Sequence, residues 1–235
     1  MKADGNKRVA LISGAASGIG KATAERLRRD GWSVVGADVR EEAGVVACDV
    51  TLTASVEAAV AQCVEMHGSL DAVVNAAGIG FPLRFLEASD EDWHKMLDVN
   101  LMGTVRVCRA ALPHLRRSAE PARGIVNFSS QAAKTGGLLI GAPYSAAKAA
   151  VLCLTKTLAG EFAGDGVRVN AIAPGIIETP FLDHVPGIRD RGPQLPLGRI
   201  GSPEEVASVV AFLLSPDASY LTGEIVDVNG GLLMD

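Results

Sequence analysis

A single-domain, Rossmann-like α/β fold, doubly wound around one parallel sheet of about seven strands with helices on both faces, is what the sequence predicts. Three observations carry that prediction. Short β-branched runs alternate with helix-length segments from one end to the other. The first run turns through glycines directly into a helix. No linker, repeat or low-complexity tract interrupts the alternation. At 235 residues, 48% hydrophobic with 26 glycines but only 4% aromatic, the chain suits one domain of close-packed Ala, Val, Leu and Gly layers.

Arg8 to Ser13 (RVALIS) reads as the first strand and Ile19 to Asp30 as the first helix. Between them lie Gly14, Ser17, Gly18, Ile19 and Gly20 in the spacing GxxxGxG. A strand, glycine turn and helix bring backbone N–H groups and the positive end of a helix dipole to a pyrophosphate. The spacing is not the common GxGxxG, and only its context gives it weight. Trp32 to Ala37 forms the second strand, with Asp38 after it. An acid there, about 20 residues past the glycine turn, can accept both hydroxyls of an adenosine ribose and repels a 2′-phosphate. That favours NAD over NADP. Arg40 argues the other way, since a nearby arginine accommodates that phosphate; an ordinary turn acid is the plain alternative for Asp38.

Gly44 to Cys48 is the third strand, and Asp49 and Val50 at its exit are candidates for the adenine amino group and ring. The gap from Asp38 to Val45 is too short for a crossover helix, so a loop or single turn is expected. Thr53 is expected to cap a helix through His67. Leu70 to Val74 is the fourth strand, ending in Asn75, Ala76, Ala77 and Gly78, small residues at an edge where open α/β sheets bind ligands. A long, mostly helical stretch from Ser89 to about Arg117 contains Asn100, which in a helix faces solvent or bonds back to the backbone.

Ile125 to Phe128 is the fifth strand and delivers Ser129 and Ser130. A helix from Tyr144 to about Gly164 places Tyr144 and Lys148 one turn apart on one face. An ammonium beside a phenol lowers its pKa from roughly 10, which suits proton donation and acceptance near neutral pH. By spacing alone such a pair fits a solvated helix face as well. Val167 to Ala173 is the sixth strand, stopped by Pro174 and Gly175. Residues 176–201, rich in proline, glycine and mixed charge, read as a substrate lid. Its Arg189 and Arg191 read as solvated charges, and Gln131 with Leu138, Leu139 and Ile140 as pocket wall. Ser202-Pro203-Glu204-Glu205 starts a helix to Leu214, and Glu224 to Val228 is the last strand.

A net charge of −5 without a run of like charge excludes a nucleic-acid footprint. Four cysteines without metal-ligand spacing read as reduced, buried thiols of a cytoplasmic protein, with no metal site. The N-terminal MKADGNKR lacks a signal-peptide core, and no run approaches the roughly 18 apolar residues of a membrane span.

Gly14-x3-Gly18-Ile19-Gly20, Asn75-Ala-Ala-Gly78, Val99-Asn100, Ser130, Tyr144-x3-Lys148 and Pro174-Gly175, in this order, resemble the motif series of the short-chain dehydrogenase/reductases over essentially the whole chain. The resemblance implies that residues 1–235 form one dinucleotide-binding and catalytic domain. It implies hydride transfer between a nicotinamide and a secondary alcohol or ketone: a polyol, sugar, hydroxy acid or steroid-like molecule, or else a 3-oxoacyl thioester on acyl carrier protein. Tyr144 would exchange the proton, Ser130 (with Ser129 as a minor alternative) would hold the substrate oxygen, and Lys148 would bind the nicotinamide ribose. Asn100 would anchor a relay water. Ser13, Gly14, Ser17, Gly18, Ile19, Gly20, Asp38, Asp49, Val50, Asn75, Ala76, Gly78, Pro174, Gly175, Ile177 and Thr179 would line the cofactor, with Ile177 and Thr179 at the carboxamide. Ser13 stands where threonine is usual, and Ala76 where a second asparagine is common. The family also implies a homotetramer. A dinucleotide-sensing protein without catalysis is disfavoured, because Tyr144 and Lys148 are both present.

Overall fold

The central apolar runs become strands because both of their faces are covered, whereas the edge runs Val45–Ala47 and Ile225–Val228 stay partly exposed. In the computed structural model, which describes residues 7–40 and 42–234, the strands are β1 (Val9–Ser13), β2 (Ser33–Asp38), β3 (Val45–Ala47), β4 (Ala72–Asn75), β5 (Gly124–Phe128), β6 (Arg168–Pro174) and β7 (Ile225–Val228). All neighbours pair in parallel, in the order β3-β2-β1-β4-β5-β6-β7. Along β1, Val9 and Leu11 face one apolar layer and Ala10 and Ile12 the other. That is the period-two alternation of a strand buried on both sides.

The first layer is closed by α2 (Thr53–His67), α4 (Gly103–Leu115) and α6 (Ala142–Phe162), through Val56 and Val60, Val107 and Leu115, and Ala159. The second is closed by α1 (Gly18–Arg29) and α7 (Pro203–Leu213), through Leu27 and by Val206 and Val210. Burying each such Val or Leu contributes roughly 1.5–3 kcal/mol relative to exposure, offsetting the ordering entropy of its segment. The chain reverses its winding between β1 and β4, whose carboxyl ends lie in register at Ser13 and Asn75. That edge is where a doubly wound sheet opens a crevice.

Several local expectations change. The short connection after Asp38 carries no helix among its described residues, as the chain length required. The helix expected from Ser89 to Arg117 is three pieces: α3 (Asp90–Leu97), a π-helical turn (Asp98–Met102) and α4. Thr53 begins α2 without capping it; Leu52 holds the cap position with no side-chain bond. A short helix, α5 (Ala132–Thr135), follows Ser130. α6 starts two residues ahead of Tyr144, with Pro143 in its first turn. Ser202 and Glu205 do form the reciprocal cap of α7. Residues 176–201 hold two 3-10 turns, Pro180–His184 and Arg189–Gln194, closed at the base by a bridge between Ile177 and Gly201. Cys48, Cys63 and Cys108 are buried as expected, whereas Cys153 is exposed on α6. No helix among the described residues is long and apolar enough to cross a membrane. The leader-free reading of the N-terminus falls mostly on residues 1–6, outside the described residues.

Candidate active site

A cleft of about 1050 Å³ runs along the carboxyl edge of the sheet, from the end of β3 across the winding reversal to the lid. Of the residues singled out in the sequence as catalytic or cofactor-binding, all but Ser13 and Asn75 line it.

The glycine turn fits an anionic ligand for a reason visible in its geometry. Gly14 has φ +73°, and a Cβ there would lie 2.6 Å from the Ala77 amide nitrogen. A Cβ on Gly20 would lie 2.1 Å from the Gly14 carbonyl oxygen. Only glycine lets β1 turn this tightly into α1. At the start of α1, Ser17 makes no side-chain cap bond and the first turn holds no acid, whereas α3 and α7 both carry complete capping boxes. The amino-terminal N–H groups of α1 are thus left to a ligand, and the helix dipole favours a phosphate.

Asp38 ends β2 and is buried. Its Oδ2 accepts from the Ala16 amide (3.1 Å), and its Oδ1 from the amide (3.0 Å) and Nε (3.4 Å) of Arg40. Burial would raise its pKa, but the hydrogen bonds from Arg40 and Ala16 and the Arg40 charge outweigh that, leaving the carboxyl below its ordinary value. Arg40 is drawn back over the turn, with Nη2 donating to Ser17 Oγ at 2.5 Å. Asp49 Oδ1 accepts from the amide and hydroxyl of Thr51 at 2.9 and 2.7 Å.

Tyr144 and Lys148 stack on the buried face of α6, each less than a tenth exposed. Lys148 Nζ donates to the Phe128 carbonyl at 3.0 Å and sits 5.9 Å from the centre of the Tyr144 ring. The expected lowering of the phenol pKa is not what the protein alone shows. Burial pushes the Tyr144 phenol up to about 12, against an opposing hydrogen bond with Ser130, and burial pulls Lys148 down to about 8. Desolvation disfavours charge on both groups and outweighs their mutual attraction, because the ammonium is directed at a carbonyl.

The two serines divide cleanly. Ser129 Oγ donates to the Lys148 carbonyl at 2.8 Å and joins β5 to α6. Ser130 Oγ accepts from the Ala132 amide at 3.1 Å and stands beside the Tyr144 phenol in the cleft, where it favours the charged form. Asn100 is fully buried in the π-helical turn. Its Nδ2 donates to the carbonyls of Ile79 and Met96, each at 3.0 Å, and its Oδ1 accepts from the Ile79 amide at 3.2 Å. It therefore bonds back along its helix and clamps the turn after β4. Gly78 lies between Asn100 and Lys148, where a Cβ would meet Asn100 Oδ1 at 2.8 Å and Lys148 Nζ at 3.4 Å.

Two assignments are corrected. Asn75 does not reach the cleft: its Nδ2 donates to Asn127 Oδ1 (2.9 Å) and Cys108 Sγ (3.3 Å) beneath the sheet edge. Ser13 is buried and its Oγ accepts from the Ala77 amide at 3.3 Å, fastening the turn after β4 to β1. Both side chains point into the layers rather than over the edge. Sequence reasoning also passed over Ile79, Gly80 and Phe81, which continue the cleft wall beyond Gly78. Arg191 is exposed, as expected of a solvated charge, and it also lines the cleft. Phe181 of the lid lies with its ring centre 5.7 Å from that of Tyr144. Gly80 makes room for it, since a Cβ there would lie 2.4 Å from Phe181 Cζ. Apolar runs beside small residues were the available signal for this wall.

Comparison with known proteins agrees with this geometry. A family model described as Enoyl-(Acyl carrier protein) reductase matches residues 14–233. The short-chain reductase protein NovJ of Streptomyces niveus is 41% identical, over 95% of this chain and 93% of its own. The 3-oxoacyl-[acyl-carrier-protein] reductase FabG of Thermotoga maritima is 37% identical, over 97% of this chain and 98% of its own. The crystal structure of 3-ketoacyl-(acyl-carrier-protein) reductase from Brucella melitensis complexed with NADH superposes with a TM-score of 0.88 at 35% identity, covering 95% of this chain and 97% of that one.

Proposed function

The chain belongs to the short-chain dehydrogenase/reductase family and is an oxidoreductase acting on CH–OH groups, and we propose from that premise that it moves hydride between NAD(H) and a secondary alcohol or ketone with Ser130, Tyr144 and Lys148 as its catalytic residues. One observation carries the reading: Ser130 and Tyr144 line, with the buried Lys148, the same cleft that the uncapped start of α1 enters.

The bound nicotinamide supplies the hydride acceptor or donor. The chain supplies the rest. Gly14, Gly18 and Gly20 let the backbone approach the pyrophosphate, and Asp38 keeps for the adenosine ribose the free lone pair of Oδ2, which accepts only from the Ala16 amide, while Arg40 occupies Oδ1. That preference for NAD is set against Arg40, which Asp38 and Ser17 already engage. Ser130 Oγ fixes the reacting oxygen by hydrogen bonding, which stabilises charge building there. Tyr144, protonated at neutral pH, gives its proton to a carbonyl oxygen or recovers one from an alcohol. Lys148 holds the ribose side of the site, and Asn100 keeps the turn beside it in place.

The apolar lid wall formed by Leu182, Val185 and Ile188 also supports a second reading, reduction of a 3-oxoacyl thioester. We further propose a cytoplasmic homotetramer, because Ala149, Ala150 and Leu154 of α6 and Ala110 of α4 stay partly uncovered in one chain; a 24.3 kDa species alone in sedimentation at micromolar concentration rejects that assembly. The function is tested by following reduced-nicotinamide absorbance with panels of secondary alcohols, ketones and 3-oxoacyl thioesters, using NAD(H) and NADP(H). Tyr144→Phe is expected to lower turnover by about 10²–10⁴-fold while NADH binding persists; retained turnover rejects the assigned proton donor.

A further inference from the structure

The charge of the cleft is divided along its length. Its two lining carboxylates, Asp38 and Asp49, stand at the ends of β2 and β3, on the side where the glycine turn and α1 begin. At the far end Leu182, Val185 and Ile188 of the lid pack with Tyr144 in one apolar cluster. No carboxylate lines that end, since Glu178, Asp183 and Asp190 of the lid are not among its lining residues, and its lid residues include Arg191 and His184.

The two lid arginines differ sharply. Arg189 is fully engaged, with Nε and Nη2 on Glu178 at 2.7–3.1 Å and Nη2 on Asp183 at 2.8 Å. Arg191, two residues on, lines the cleft, and among the described residues its guanidinium has neither an ion pair nor a hydrogen-bond acceptor. Every other charged group lining the cleft besides the two carboxylates is basic as well: Arg40, Lys95 and Lys148. An unpaired guanidinium beside an apolar wall matches a planar anion, which it can bind through two parallel N–H donors. A polyol would find no carboxylate at that end to accept its hydroxyls.

We propose that Arg191 is a specificity-determining residue that anchors an anionic group, carboxylate or phosphate, carried at the far end of an apolar alcohol or ketone whose carbinol or carbonyl carbon lies at Tyr144. The inference rests on the oxidoreductase reading and narrows it from sugars and polyols to acids with an apolar body. His184, at the end of the other lid turn, Pro180–His184, also lines the cleft and offers the anion a second polar group.

The test uses pairs matched in carbon skeleton, a hydroxy or oxo acid and its methyl ester, in a series of increasing spacing between the reacting carbon and the carboxylate. A phosphate monoester of the same skeleton separates a doubly charged group from a singly charged one. KM is expected to be about fivefold lower for the acid than for the ester at the best spacing, as a partly exposed ion pair provides, and the preference should shrink in high salt. Arg191→Ala should bring the acid-to-ester ratio near one, and Arg191→Lys should recover part of it. Calorimetric titration of the protein–NADH complex with acid and with ester reads the same preference without turnover. Equal KM and equal affinity for acid and ester, or a preference that survives Arg191→Ala, overturns the proposal while leaving hydride transfer intact. Should no pair be turned over, the oxidoreductase reading fails, and the calorimetric comparison decides the anion anchor on its own.

Discussion

Replacing Lys148 with methionine should make the protein inactive, and at neutral pH it should remove a specific electrostatic strain. Burial lowers the Lys148 pKa from 10.5 to about 8. Between those two values the unfolded chain binds a proton that the folded one has lost, so stability rises with pH across that window. The sign follows from the direction of the shift: the penalty for a buried ammonium is fully present below pH 8 and fades as pH approaches 10.5. Applying the linkage relation with these two values, the wild-type protein gains about 2 kcal/mol relative to Lys148→Met between pH 7 and pH 9.5. Tyr144, with its pKa near 12, stays protonated throughout that range in the folded state. The lost hydrogen bond to the Phe128 carbonyl shifts the variant by a constant amount, and the pH dependence of other groups cancels in the difference. Urea denaturation of both proteins at pH 7, 8.3 and 9.5 measures it. Stability curves that run parallel in pH would show that Lys148 titrates normally in the folded state and would refute the desolvated site.

Asp38→Ala should weaken NADH binding by about tenfold or more, the loss expected for a charge-assisted bond to the ribose, and should improve NADPH relative to NADH because Arg40 is released. Fluorescence titration with both nucleotides checks this; an unchanged ratio removes Asp38 from the ribose. Gly14→Ala and Gly31→Ala form a contrast. Both glycines have positive φ, but a Cβ on Gly31 meets nothing within 4 Å whereas one on Gly14 meets the backbone of Ala76 and Ala77. Gly31→Ala should cost about 1–2 kcal/mol; Gly14→Ala should add roughly 1–3 kcal/mol of overpacking and abolish nucleotide binding. Thermal melts with and without NADH separate the two, and equal shifts would mean the close approach at Gly14 is relieved without consequence.

Much of the fold was legible because its signals are local. Strand runs, the glycine turn and the Ser202 cap are each written within a few adjacent residues, and the order of motifs then fixed which edge of the sheet was functional. What could not be read depended on neighbours distant in sequence. Ser13 and Asn75 sit at strand ends exposed to the cleft in pattern, yet their side chains turn inward to Ala77 and to Asn127 and Cys108. At the π-helical turn the Asn100 side chain is claimed by Ile79, twenty-one residues back, as well as by Met96. Ser129 and Ser130 are chemically identical in the sequence; only the position of the Lys148 carbonyl separates them. Arg189 and Arg191 were equivalent until Glu178 and Asp183 were seen to converge on one of them.

The pKa reversal at Tyr144 has the same origin and a chemical consequence. Spacing reveals that a phenol and an ammonium are neighbours; it does not reveal that both are cut off from water. In the buried site burial raises the phenol to about 12 and lowers the amine to about 8, so both shifts favour the proton residing on the phenol oxygen. In the proposed mechanism, a phenolate left when Tyr144 protonates a substrate carbonyl would be a strong enough base to recover a proton from Lys148, which would reset the site toward its donor form. Oxidation of an alcohol needs the opposite state, and the chain by itself does not stabilise it. The positive charge of an oxidised nicotinamide beside the phenol would lower its pKa and supply what these residues lack.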